Sequence, residues 1–182
     1  MWLTFISPQE LVKMTVLLFT IPSLLSLIFF GTVNCSEIGR VTTLAGTGST
    51  GYANGFGTNA AFNNVFGVAL TSTQCLVADH TNKRLRYVRL SDQFTGVIAG
   101  SGSGATTNGV GTNAGFLSLS GIAITPSESF MLVTDPQDKR VRMLTGPISL
   151  PTVSTLAGSG SNGENDGTGL SAQFKTPMGI GK

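Results

Sequence analysis

Two blocks gather the residues able to do chemistry. The first is Val77-Ala-Asp79-His80-Thr81-Asn82-Lys83-Arg84-Leu85-Arg86, and the second is Val133-Thr-Asp135-Pro-Gln-Asp138-Lys139-Arg140-Val-Arg142. Each sets a carboxylate at the end of an apolar run, with three cations a few residues on. Such groups could line a groove for an acidic ligand. They could equally bridge neighbouring strands by charge-assisted hydrogen bonds, which are the stronger kind. Because the set recurs, the bridging reading is favoured, since repeat proteins reuse structural parts.

Other chemistries are short of residues. One histidine, His80, cannot build a Ser-His-Asp or Cys-His arrangement, and it is expected to be solvated in a turn. Cys35 and Cys75 are the two cysteines, so zinc spacing and a disulfide framework are both excluded. Cys75 is read as a free, half-buried thiol. The loops Asn54-Gly-Phe-Gly57, Asn108-Gly-Val-Gly111 and Asp166-Gly-Thr-Gly169 invite a calcium reading. Only the third is acidic, with Glu164 and Asp166, and a calcium site wants several convergent carboxylates. They are read as turns in which glycine supplies positive φ. Gly100-Ser-Gly-Ser-Gly104 lacks the Lys-Ser/Thr of a phosphate loop. No catalytic, cofactor-binding or metal residue is assigned.

These residues sit in an array. Val41-Thr-Thr-Leu-Ala-Gly46 returns as Gly96-Val-Ile-Ala-Gly100 and as Val153-Ser-Thr-Leu-Ala-Gly158. The offset is 54 residues from Gly46 to Gly100 and 58 from Gly100 to Gly158; Phe62, Phe116 and Phe174 keep both, as do Gly67, Gly121 and Gly179. A fixed period of this size marks a repeat architecture. Within a unit, Gly67–Leu70 reads as an apolar buried strand, Cys75–Asp79 as a second, Arg84–Leu90 as an alternating third and Thr95–Gly100 as a fourth. The turn between the second and third uses Asn82, a residue tolerant of positive φ. The three phenylalanines are expected to plug the space between units.

The motif V-x-T-L-A-G-x-G, then D/N-G-x-G-x-x-A-x-F, then V-A-D-x-x-N-x-R-[IL]-R resembles the NHL repeat, over residues 41–182. Val65 and Leu119 stand where the family has a proline like Pro177, and Asp138 replaces the asparagine found at Asn82. The resemblance implies an all-β partial β-propeller, with four-stranded blades at 67–100 and 121–158. The strand at Gly67 would be innermost in its blade and the Thr95–Gly100 type outermost. Val41–Gly46 would be an orphan outermost strand and 178–182 the start of a third blade. Two blades cannot close a ring of typically four to eight. The chain is therefore expected to be a fragment or an assembling unit, with self-association through open strand edges. Gly46, Gly100 and Gly158, with Gly67, Gly121 and Gly179, belong to the same structural motif.

Residues 14–33 run twenty positions without a charge behind Lys13. They read as an apolar helix, either a signal peptide cleaved near Cys35 or a retained anchor. Residues 36–182 then lie on the extracytoplasmic side, secreted or anchored, touching membrane only through 14–33. Past residue 35, ten basic side chains face eight acidic ones, too small an excess to predict nucleic-acid binding. The expected function is a non-enzymatic scaffold for a protein or carbohydrate ligand, since function lives in the loops rather than the fold. An enzyme reading needs histidines or carboxylates converging on a central channel. An RNA-binding reading conflicts with the leader and the weak charge.

Overall fold

In the computed structural model, which describes residues 41–181, two antiparallel sheets of five strands follow one another. The first contains β1 (Gly55–Phe56), β2 (Val65–Leu70), β3 (Gln74–Asp79), β4 (Arg84–Arg89) and β5 (Phe94–Ala99). The second contains β6 (Gly109–Val110), β7 (Ile122–Ile124), β8 (Phe130–Asp135), β9 (Arg140–Thr145) and β10 (Thr152–Ala157). Their orders are β1-β5-β4-β3-β2 and β6-β10-β9-β8-β7, the same path walked twice. Among the described residues the helical pieces are three 3-10 turns, Gly57–Asn59, Gly111–Asn113 and Gly169–Ser171. No helix among them is long and apolar enough to cross a membrane. The apolar leader helix expected over residues 14–33 lies outside the described residues.

Four strands per sheet come from tight hairpins, and the central ones bury residues on both faces, as in the run Leu76–Asp79. The fifth, outer strand departs from the four-stranded expectation. Gly55 pairs with Thr95 and Phe56 with Phe94, while Thr152 pairs with Val110 and Val153 with Gly109. A loop of turn-forming residues thus supplies two residues of ladder, because its partner strand presents an unpaired edge. Two expected strands are absent from the described residues: Val41–Gly46 and 178–181 carry no strand. Gly46 and Thr47 instead donate their N–H groups to the carbonyls of Gly57 and Ala60.

The core lies between the two sheets. Leu76, Leu85 and Ile98 of the first pack with Phe116 and Leu119 of the linking segment and Val133 of the second. Close approach of the inner strands requires glycine. A Cβ added to Gly67 would stand 2.0 Å from the Ser120 carbonyl oxygen, and one on Gly121 would stand 2.7 Å from that of Met178. A Cβ on Gly179 would meet nothing within 4 Å.

Candidate functional site: bracketed arginines and an open sheet face

Asp79 ends β3 and Arg86 lies on β4, two residues along from its cross-strand partner Arg84, so both side chains share a sheet face. The Arg86 Nη1 donates to Asp79 Oδ2 at 3.0 Å, with both side chains fully buried. Its Nη1 and Nη2 also donate to the carbonyls of Ala61 and Ala53 and to the Asn54 Oδ1, while its Nε has no partner among the described residues. Asp79 also accepts the Asn63 N–H, and Asn82 donates both to Asp79 Oδ2 and to the Gly51 carbonyl, each at 2.8 Å. A buried charge costs heavily unless paired and hydrogen-bonded, and this cluster meets that condition by tying the segment 51–63 to the sheet. The loop Asn54-Gly-Phe-Gly57 therefore has its asparagine as an arginine cap. Asn82 itself does not carry the positive φ; Lys83 does, at 56°, as Lys139 does at 57°. The backbone of the turn sets this position, since Lys139 shares the φ although the Asp138 side chain makes no bond like that of Asn82 to Asp79.

The second cluster is wired differently. Arg142 donates to the Gly115 and Thr107 carbonyls and to Asn108 Oδ1. Its carboxylate neighbour is Asp138 at 3.8 Å, and Arg140 holds the same carboxylate at 2.6 Å. Asp135 instead accepts the N–H groups of Leu117, Ser118 and Asp138 and the Ser118 hydroxyl. Burial pushes the Asp135 carboxyl up from its ordinary value, with backbone N–H bonds opposing and the Asp138 charge adding. Burial lowers the Arg142 guanidinium from its ordinary value.

Arg84 and Arg140 link each sheet to the segment that follows it. Arg84 Nη2 donates to the Ser101 carbonyl at 2.7 Å and Arg140 Nη2 to that of Ser159 at 3.1 Å. Gly100 and Gly158, at φ 104° and 101°, pass so close to the Lys83 and Lys139 carbonyls that a Cβ would clash. Phe116 is buried, while Phe62 and Phe174 are half-buried. Arg86 lies 4.5 Å over the Phe62 ring and Arg142 lies 5.3 Å over that of Phe116.

Ahead of the first sheet, no described residue fills the equivalent seat. A groove of about 560 Å³ is lined by Gly46, Thr47, Gly48, Phe62 and Val65. Beside it β2 turns an apolar face outward. Val68 is 62% exposed whereas its counterpart Ile122 is 7% exposed; Val65 is 44% exposed whereas Leu119 is fully buried. Sequence reasoning missed this face, because the two copies are equally apolar and differ only in what covers them. His80 is a further correction: its Nδ1 is 2.8 Å from the Leu119 carbonyl and its ring lies 4.5 Å from that of Phe66, so it joins the two units instead of facing water. Cys75 is half-buried, and burial raises its thiol pKa. Among the described residues no three His, Cys, Asp or Glu side chains gather as a metal site would need.

No family model and no curated protein matches this chain. Solved structures resemble it in fold alone. An auxiliary nutrient binding protein from Bacteroides thetaiotaomicron superposes with a TM-score of 0.56 at 20% identity, covering 67% of this chain and 32% of that one. A protein of unknown function from the same bacterium gives 0.53 at 20% identity, covering 60% of this chain and 27% of that one. The chain thus spans about a third of the length of the structures it resembles.

Proposed function

We propose that the chain is part of an NHL-type β-propeller that serves as a non-enzymatic binding scaffold on the extracytoplasmic side. Each five-stranded sheet is then one blade, and the buried arginine brackets keep the segments between blades rigid. The observation that carries the binding role is the outward apolar face of β2, whose counterpart in the second unit is covered by the first, so that a further blade is one protein that fits it. Val65, Phe66, Val68 and Leu70 are all exposed, and Gly46–Gly48 open a groove beside them. A contiguous exposed apolar patch marks an interaction surface. It favours a protein partner over a carbohydrate, because the patch offers few of the hydrogen-bonding groups that sugars need. The charge-free run at 14–33 supports the extracytoplasmic placement.

Cross-linking of the full chain on the surface of expressing cells, followed by peptide mapping, tests the reading. Partner cross-links are expected to map to residues 65–70 and to disappear in Val68→Glu/Leu70→Glu, whose substituted side chains are already exposed. Cross-links that map elsewhere and survive the double substitution overturn it. Binding to a glycan array without any protein cross-link would move the reading to carbohydrate.

A further inference from the structure

The two units differ at one position that bears directly on a cavity. In the first, the Tyr52 ring lies 4.1 Å under the Arg84 guanidinium carbon and 5.2 Å from that of Arg86. The 54-residue offset that relates Asn54 to Asn108 relates Tyr52 to Thr106. In the second unit no ring is supplied there, and a groove of about 330 Å³ opens instead. Arg140, Arg142, Thr106, Asn108, Thr155 and Leu170 line it.

We propose that this groove binds one aromatic ring of the phenol type, stacked on the guanidinium faces of Arg140 and Arg142. The hydrogen bonds of Arg140 to Asp138 and Ser159, and of Arg142 to Gly115, Thr107 and Asn108, use N–H groups that lie in the guanidinium plane. In-plane bonding fixes both groups; Phe116 takes one face of Arg142, and the sides of both guanidinium groups that line the groove are left for stacking. Arg142 is almost wholly buried, and its Nε, like that of Arg86 in the first unit, has no hydrogen-bond partner among the described residues. Leu170, the counterpart of Thr112 at the 58-residue offset, gives the groove an apolar wall, while Thr155 and Ser154 set hydroxyl groups at its rim. The first unit shows the chemistry that satisfies such a pair: an aromatic face, which attracts cations through its quadrupole. This site is separate from the apolar face of β2, and its occupancy does not depend on what binds there.

Side-chain Nε–H signals of arginine in the isotopically labelled full chain, titrated with p-cresol, test the assignment. Saturable ring-current shifts are expected at Arg140 and Arg142, with 4-methylcyclohexanol binding at least about threefold more weakly because it offers no π face. Thr106 is exposed and its side chain is free of hydrogen bonds among the described residues, so Thr106→Tyr is structurally mild. It should weaken p-cresol by at least about tenfold, since a tethered ring competes at high effective concentration. Tyr52→Thr should add a second set of shifts at Arg84 and Arg86. N-acetyl-tyrosinamide binding more tightly than p-cresol would assign the ring to a peptide tyrosine, and the reverse order to a free aryl ligand. The proposal fails if p-cresol leaves Arg140 and Arg142 unmoved, if Thr106→Tyr binds it as the parent does, or if the saturated alcohol binds equally well.

Discussion

In the first unit Arg86 meets Asp79 at 3.0 Å, whereas in the second the counterpart Arg142 stands 3.8 Å from Asp138 and Asp135 is held by backbone amides. The ladders beneath are alike, with Asp79 opposite Arg84 and Asp135 opposite Arg140. The difference traces to one turn residue. Asn82 has an N–H to give, so it can support Asp79 while that carboxylate holds Arg86. The Asp138 side chain has no N–H, and its charge draws Arg140 and Arg142 to itself. Register is set by the backbone and the apolar pattern; charge wiring is set by a single side chain and can change without disturbing it.

The largest expected effect is at the guanidinium itself. Arg86→Met strands the buried Asp79 carboxylate and should cost about 3–5 kcal/mol. Arg142→Met leaves Asp138 with Arg140, and should cost about 1–3 kcal/mol, chiefly through carbonyls left without donors. Urea denaturation of the two variants measures the gap, and equal losses would break the comparison. Next comes the approach of the inner strands. Gly67→Ala drives a methyl onto the Ser120 carbonyl and should cost about 1–3 kcal/mol. Gly179→Ala meets open space and should stay within about 0.5 kcal/mol of the parent. Thermal melts that rank the two alike would remove glycine contact as the reason for the spacing.

The smallest effect is in the titration of Asp135. Its folded-state pKa is raised, first by desolvation and then by the Asp138 charge, against the N–H bonds that lower it. A raised value means that the fold prefers the protonated acid. This contribution is full below the unfolded value of about 3.9 and is lost as pH rises through the folded one. Acidification from neutrality thus gains stability from this group. Asp138→Asn removes the neighbouring charge, so the Asp135 midpoint should fall towards its ordinary value. Carboxyl carbon shifts followed against pH would show it, and an unmoved or higher midpoint would mean that Asp138 does not act on Asp135.

Much of this architecture could be read from spacing. The offsets carried by Gly46, Gly100 and Gly158 identify residues that share a left-handed φ, between 101° and 121°. Alternation of polar and apolar residues over Arg84–Leu90 marks β4, although both of its faces are largely covered, with Leu85 and Arg86 each fully buried. The two-residue strands β1 and β6 were illegible, since Gly55-Phe56 and Gly109-Val110 have turn composition and become strand only by meeting Phe94–Thr95 and Thr152–Val153. The bracketing of Asp and Arg was legible as a pairing but not as a choice of partner. That choice depends on side-chain donors in a turn, which spacing does not weigh. The groove beside Arg140 and Arg142 was equally hidden, because Thr106 is an ordinary loop residue until Tyr52 shows what its place can hold.

One edge strand of each sheet comes from chain that precedes the other edge strand, so a unit starts at one edge of its sheet, crosses to the opposite edge and walks back. This has a consequence for how such a gene can grow. A tandem duplication of residues 54–107, which is one 54-residue offset, carries its own clasp, its own glycine at the strand approach and its own arginine cap. A duplication of 67–120 carries the same parts in rotated order, taking the clasp of the next unit. Every breakpoint in the period therefore yields an equivalent junction. Unequal recombination could lengthen or shorten the array in whole units, with no need for the breakpoint to be selected.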